Sequence, residues 1–485
     1  MLSAYARIRM KISEGNGNQE ITMKNSEYIS YAFLRSALTM RNPYHSTEQV
    51  LDWIREQNRK ILVNVRQVSF AQMLPTWQFD AEGNLRHASG KFFSIEGIRV
   101  RTNYGNVAEW EQPIINQPEI GYLGIITKEM GGVLYFLLQA KVEPGNVNNV
   151  QLSPTLQATK SNYSQVHKGN KPLYLEYFQN AKPEQILLDQ LQSEQGARFL
   201  RKRNRNIIIR VEEEIPVYDN FIWVTLGQIK ALASMDNIVN MDTRTVISGI
   251  PLHALEGIEL PEKKAWGYDL LHDAHPCHTT TEILSWMTSL KCKYELNITS
   301  IPLNQVGHWR TTDVAIEHEA GRFFKVIAAQ VEINNREVKT WCQPLVAPAQ
   351  QGLTAFVIKK INGTYHFLVQ GKVESGNFDT LEMAPTVQCI TDSYVSIRNA
   401  QPFVDYVLNA KPEQIRVDTL QSEEGGRFYQ EQNRNLIIEA DDSFPVDNLP
   451  ENYIWVSFQQ LMLFLQFNNY LNIQSRSLIS LIRMI

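Results

Sequence analysis

The sequence predicts an α+β fold built from two tandem copies of one mixed unit, and three observations carry that expectation. The chain repeats itself: 139–146 read QAKVEPGN and 370–377 read QGKVESGN, NAKPEQI at 180–186 returns at 409–415, and LQSEQGARF at 191–199 returns as LQSEEGGRF at 420–428. The period is 231 residues from Lys141 to Lys372 and 232 from Trp223 to Trp455, too long for a solenoid unit and the size of a whole domain. Helical and strand-like patterns succeed one another without the regular βαβ alternation of a doubly wound sheet.

Local patterning gives the order of elements. Each unit opens on an amphipathic helix carrying a tryptophan, Trp53 in one and Trp286 in the other. A second tryptophan (Trp77, Trp309) precedes a strand beginning GKFFSIEGIRV or GRFFKVIAAQV. A WxQP turn follows at 110–113 and 341–344, then an apolar strand, VLYFLLQAKV or YHFLVQGKV. Beyond PTLQAT or PTVQCI the pattern becomes helical, then returns to a short apolar strand, IIIRV or LIIEA. A helix after Trp223 or Trp455 closes each unit; residues 454–473, the most apolar stretch, read as one core-facing helix. The expected division is a loose N-terminal extension over 1–43 (with Met23 an alternative start), a first module over 44–252, a Gly-, Pro- and charge-rich linker over 253–278, and a second module over 279–485.

Of the 485 residues, 43% are hydrophobic and 20% charged, ample material for a core. A formal net charge of −4 argues against bulk nucleic-acid binding as the main role. No run of 18 apolar residues is present, so no membrane span is expected. The N-terminus lacks the apolar segment of a secretory signal and the four cysteines lack CxxC spacing; a reducing cytoplasm is expected. His272, His275, Cys277 and His278 cluster in the linker without the separated ligand pairs of a zinc site, so no metal site is expected. Neither the dinucleotide-binding glycine fingerprint nor the P-loop motif occurs.

Three constellations could carry chemistry. Side chains alternate along a strand, so Gln139, Lys141 and Glu143 share one face, and Thr155, Gln157 and Thr159 share one on the return segment. Side by side, the two segments would form a polar floor. A solvated sheet face is the plain alternative, but the same triplet recurs as Gln370, Lys372 and Glu374. The second constellation is Arg198, Arg201, Lys202, Arg203 and Arg205 beside Asn204 and Asn206. Guanidinium forks suit a diphosphate; a solvated helix end is the alternative. The second copy keeps Arg427, Asn433 and Arg434 but replaces the middle cations with Gln430, Glu431 and Gln432. The third is KSNYSQVHKGN at 160–170, where His167 stands opposite Arg398 when Tyr163 is laid on Tyr394. Histidine is the usual proton carrier near neutral pH, though a loop histidine is more often a surface residue. The first copy thus carries more reactive groups than the second.

The motifs QAKVEPGN, SPTLQAT, SNY, LQSEQGARF, NRN and MDTRTVIS, with the duplication itself, resemble the nucleotide-diphosphate-hexose 2,3-dehydratases from about Tyr44 to the C-terminus. That resemblance implies two Nudix-like modules per subunit, a homodimer, and no redox cofactor. It implies a nucleotide-sugar substrate, an NDP-4-keto-6-deoxyhexose with thymidine the usual base, that loses its C3 proton and C2 hydroxyl. The 3,4-diketo-2,6-dideoxy product would pass to a downstream 3-ketoreductase. On this reading Lys141 stabilises the enolate or protonates the leaving hydroxyl, with Glu143, Tyr163 and His167 as unranked proton carriers. Arg198, Asn204 and Arg205 hold the pyrophosphate, and Gln157, Thr159 and Asn162 fix the sugar. Trp77 or Trp110 stacks on the base or belongs to the core; Arg244 and its counterpart Arg476 are ligand contacts or structural ion pairs. Lys372, Arg427 and Asn433 bind nucleotide in a second module that does not turn it over. A Nudix helix laid with its glycine on Gly196 puts Asp189, Gln190 and Ser193 where its Arg–Glu and first paired Glu belong. Metal-dependent pyrophosphatase chemistry therefore lacks its carboxylates. A catalytically idle nucleotide-sugar-binding protein is the remaining alternative.

Overall fold

Strands whose residues are apolar on both faces form the centre of each half, and helices cover them. The computed structural model describes residues 7–14, 17–160, 171–255, 265–335, 338–390 and 401–485. In the first half a seven-stranded mixed sheet places Val133–Val142 between Gly121–Met130 and Val150–Ser153. Arg203–Val211 runs parallel to Gly121–Met130 and antiparallel to Ile186–Ser193. The second half repeats this sheet with Thr364–Lys372, Gly352–Ile361, Gln432–Glu439 and Ile415–Ser422 in the same places. The fold is α+β with two similar halves.

Helices start where a side chain can satisfy free backbone N–H groups. Thr47–Lys60 and Thr280–Lys293 open the halves behind capping boxes at Ser46 and Thr279, each cap contributing about 1 kcal/mol. Two helices close each half: Leu226–Ala233 and Met241–Ser248 in the first, Phe458–Phe464 and Ile473–Ser480 in the second. Residues 454–473 are therefore not one helix. Ser457 caps a helix at the end of strand Tyr453–Ser457, and Asn469 at φ 59° turns the chain before Asn472 caps the next.

Several other expectations change. The N-terminal extension contains helix Asn25–Ala37, which buries Phe33, Leu34 and Ala37 and is not loose. Its Ser36 hydroxyl donates to the Leu134 carbonyl at 2.5 Å and accepts from the Leu226 amide at 2.9 Å. The linker is anchored too: Tyr268, Leu270 and Leu271 are buried, and the Ala265 amide donates to the Met484 carbonyl at 3.1 Å. The segment laid along a Nudix-type helix is strand Ile186–Ser193, and the NRN cluster lies on strand Arg203–Val211 rather than at a helix end. Leu188 and the run Ile207–Ile209 are buried there, a period-2 and continuous-apolar pattern that a sheet satisfies.

The small sheets do not respect the division between halves. Val63–Gln67 pairs with Phe324–Ile333 of the second half, and Leu296–Ile301 reciprocates on Ser94–Thr102 of the first. Trp77 and Phe93 consequently share one apolar cluster with Leu303 and Phe324. The repeated glycines mark a second crossing. Gly145 donates its amide to the Gly425 carbonyl at 2.7 Å, and Gly376 donates to Gly196 at 2.6 Å. A Cβ on Gly145 would sit 1.6 Å from the Phe428 carbonyl oxygen, so only glycine permits this approach. Among the described residues no helix is long and apolar enough to cross a membrane.

Candidate active site

Strand alternation and the crossing turns together build one cavity of about 940 Å³. Gln139, Lys141 and Glu143 line it from the first large sheet, as the period-2 pattern predicts. Thr155, Gln157 and Thr159 also line it, although Leu156–Ala158 pairs with Gly121–Met130 rather than with the Lys141 strand. The Gln157 amide bridges that gap by donating to Glu143 Oε1 at 2.7 Å. Ser153 Oγ (2.8 Å) and Asn240 Nδ2 (3.4 Å) both donate to Gln157 Oε1, fixing which way the amide points. Lys141 Nζ lies 3.6 Å from Glu143 Oε1, while Glu143 Oε2 is buried with no hydrogen-bond partner among the described residues.

Around this strand end the site gathers ionisable groups. Asn204 holds Glu194 through a 2.7 Å hydrogen bond and itself accepts from the Gly121 amide at 3.1 Å. Burial raises the Glu194 carboxyl above its ordinary range, opposed by Arg476 and Lys202. Burial lowers Lys202, opposed by Glu194, and its ammonium donates to the Glu119 carbonyl. Asp242, in the first turn of helix Met241–Ser248, is raised by burial and then by Glu424, Glu143 and Glu194, with Lys141 opposing. Burial pushes Glu424 up to about 7, with Arg427 and Lys141 opposing and Glu143 and Glu194 adding. Carboxyls that keep protons near neutrality beside an ammonium can give, take and stabilise charge in one cavity.

The expected site residues divide into three groups. Lys141, Glu143, Gln157, Thr159, Trp77 and Asn204 come together at the cavity. Asn162, Tyr163 and His167 lie outside the described residues. The arginines are placed differently from the sequence-based expectation. Arg427, assigned to the second module, lines the first-half cavity, 4.2 Å over the Phe93 ring and bonded to Gln117 Oε1 at 3.1 Å. Arg198 takes the matching place in the other half, 4.2 Å over Phe324. The two exchange sides because their turns cross: Gln430 N donates to Gly145 O and Arg201 N to Gly376 O, each at 2.8 Å.

Arg205 is held by Asp189 at 2.7 and 2.6 Å, and Arg434 by Asp418 in the same way, so the repeated NRN arginine pairs on the sheet surface in both halves. Arg244 and Arg476 are buried away from the cavity. Arg244 donates to the Val239 (2.6 Å) and Ser422 (2.7 Å) carbonyls and Arg476 to those of Leu471 and Ser193, each clamping the opposite half. In the second half Asn433 holds Glu423, and Lys372 lies beside Glu374. Trp110 and its counterpart Trp341 donate alike to Gln112 and Gln343, and Trp341 lines the first-half cavity.

Sequence reasoning passed over Asp242, Glu424, Glu194 as a site carboxyl, and Trp341. A signal existed for two of them: the copies place Gln474 opposite Asp242 and Gln195 opposite Glu424, a carboxyl exchanged for an amide each time. That Glu424 and Trp341 face the first half was not readable without the crossing.

Known proteins supply an independent comparison. The family model described as NDP-hexose 2,3-dehydratase matches residues 47–250 and again 280–482. A dTDP-4-dehydro-6-deoxy-alpha-D-glucopyranose 2,3-dehydratase of Saccharopolyspora spinosa is 45% identical over 457 residues, covering 92% of this chain and 93% of the relative. Proteins of the same description from Streptomyces violaceoruber and Amycolatopsis orientalis are 44% and 40% identical, covering 84% and 92% of this chain and 91% and 92% of their own lengths. With the family model matching both halves and such relatives spanning nearly the whole chain, the protein belongs to the NDP-hexose 2,3-dehydratase family.

Proposed function

We propose that this chain eliminates water from dTDP-4-keto-6-deoxyglucose, giving the dTDP-linked 3,4-diketo-2,6-dideoxy sugar. The observation that carries the reading is the placement of Lys141 and Glu143 in a cavity whose neighbouring carboxyls retain protons. The names of the three relatives support the substrate.

The 4-ketone acidifies the C3 proton. A base removes it, and charge develops on the C4 oxygen, where the Lys141 ammonium is suited to stabilise it. The C2–O bond then breaks as an acid protonates the leaving hydroxyl, and the enol tautomerises to the diketone. The sequence is redox-neutral. Arg427 and Lys202 are the cations we assign to the diphosphate in place of Arg198 and Arg205, with Asn204 supporting through Glu194. Gln157, Thr159 and Asn162 are assigned to the sugar, and Trp77 or Trp341 to the base. Tyr163 and His167 remain proposed proton carriers; Thr159 and Lys171, on either side of their segment, both line the cavity. In the second half we assign Lys372, Asn433 and Arg198 to a nucleotide-binding place without turnover.

Each half is read as Nudix-like on its mixed sheet, which superposition on an experimental Nudix structure tests. The subunit is read as half of a homodimer, which mass photometry tests, and its product as the substrate of a 3-ketoreductase. The decisive experiment incubates the protein with EDTA and dTDP-4-keto-6-deoxyglucose and follows the sugar by mass spectrometry. Loss of one water, trapped by a carbonyl reagent, is the expected result. Unchanged but bound substrate would leave an idle binding protein, and release of dTMP only on restoring Mg²⁺ would favour a Nudix hydrolase.

A further inference from the structure

We infer that Glu143 of the first half and Glu424 of the second form one proton-carrying pair, and that this pair is the acid–base device of the cavity. The inference deepens the dehydratase reading and rests on it.

Five observations carry it. The crossing turns meet at the hydrogen bond from the Gly145 amide to the Gly425 carbonyl, bringing Glu143 and Glu424 to one place from distant parts of the chain. Both line the same cavity. Gly426 leaves room for the meeting: a Cβ there would lie 2.4 Å from Glu424 Oε1 and 3.5 Å from Glu143 Oε1. The equivalent place in the other half carries Ala197, beside a Gln195 whose amide is drawn to Glu423 Oε2.

The fourth observation is what the other half puts in place of Glu424. Gln195 stands there, and its Nε2 donates to Glu423 Oε2 at 2.6 Å. A glutamine has the shape of a neutral glutamic acid and donates a similar hydrogen bond, but it cannot release the proton. The duplicate has thus lost titration at this position while keeping the shape. Finally, Glu143 Oε1 accepts from Gln157 and faces Lys141, whereas Oε2 is buried without a hydrogen-bond partner among the described residues. A buried carboxylate oxygen left unpaired is costly, so it fits a proton arriving from the cavity.

Burial of Glu424, which pushes its carboxyl up to about 7, agrees with a proton held there near neutrality. The charged groups facing it are Lys141 and Glu143 from one strand end, Glu194 and Lys202 from the first-half turn, Asp242 from its helix, and Arg427 from its own turn.

The pair closes a balanced cycle. Glu143 as carboxylate takes the C3 proton. Glu424 gives its proton to the C2 hydroxyl, the C2–O bond breaks, water leaves and a C2=C3 double bond forms. Glu143 then returns its proton to C2 while Glu424 recovers the proton of the 3-hydroxyl, which becomes the ketone. Both carboxyls end as they began and no oxidant is needed.

The test compares the full-length parent with E424Q, E143Q and G426A on dTDP-4-keto-6-deoxyglucose, measuring trapped diketone across pH and dTDP binding by calorimetry. E424Q and E143Q are expected to lose about 10²- to 10⁴-fold in turnover with dTDP binding retained. G426A is expected to lose at least about tenfold, because its Cβ displaces Glu424. The parent's turnover should fall as pH rises past Glu424's value, and residual E424Q turnover should lack that alkaline fall. An inert parent overturns the dehydratase reading and the pair with it. An active parent with E424Q within about threefold of it overturns the pair alone. Loss of dTDP binding in E424Q also overturns it, marking Glu424 as a binding residue.

Discussion

In the first half Lys202, Asp242 and the incoming Glu424 surround Glu194; in the second the same places hold Glu431, Gln474 and Gln195 around Glu423. What the halves share is frame. Asn204 and Asn433 hold a buried glutamate in each, Arg205 and Arg434 pair with an aspartate, and Arg244 and Arg476 clamp the opposite half. What they do not share is charge. Glu431 replaces a cation with a carboxyl that burial pushes up to about 7 against the pull of Arg198. A diphosphate meets one cation fewer there, and the two carboxyl-to-amide exchanges remove proton carriers. Duplication preserved the geometry in both halves, while the identity of the ionisable groups around the buried glutamate differs between them.

The largest expected effect tests the shared frame. Truncating Arg244 or Arg476 to alanine strands buried carbonyls that each guanidinium now satisfies, and each is expected to lose about 3–5 kcal/mol of stability. Denaturant melts of the two variants side by side check this, and a neutral result for either breaks the symmetry of the clamps. Next comes chemistry. Lys141→Ala is expected to lower turnover by about 10²- to 10³-fold. Lys372→Ala should lose far less, and equal losses would mean that both halves turn over substrate.

The arginine exchange gives a sharper, smaller test. Arg427→Ala should raise KM by roughly tenfold, as expected for a charge-assisted contact, and Arg198→Ala should raise it less. The reverse order would return each arginine to its own half. The last effect concerns Glu382, whose first-half counterpart is the non-titrating Gln151. Burial pushes Glu382 up to about 7, against Arg476, so the folded chain holds a proton that the unfolded chain releases near 4.5. Its contribution is therefore full in acid and lost as pH rises toward and through 7, amounting to on the order of 1–3 kcal/mol. Glu382→Gln should flatten that fall; if Glu382 does not titrate, the change in melting temperature between about pH 5.5 and pH 8 will be the same in parent and variant.

Much of this was legible in the sequence because it rests on local rules. The opening and closing helices follow from capping residues and apolar spacing, and the cavity-facing trio Gln139, Lys141 and Glu143 from strand alternation. The cation cluster was legible as a cluster but not as geometry. Arg205 was taken up by Asp189 and only Lys202 reached the cavity, since alternate residues of strand Arg203–Val211 face opposite sides. The reading of 454–473 as one helix failed because a continuous apolar run fits a buried strand and a buried helix equally well.

By itself, then, the sequence determined the duplication, the mixed class of each unit, the family and the polar strand end at Lys141 and Glu143. These need only periodicity and a comparison of one copy with the other. Tertiary structure alone decided which half each residue serves. Val63–Gln67 and Leu296–Ile301 trade sheets, and the Gly145 and Gly376 turns cross at glycines too close for any side chain. Arg427, Glu424 and Trp341 thereby complete a cavity in the other half, through contacts between residues far apart in the chain that no local pattern encodes.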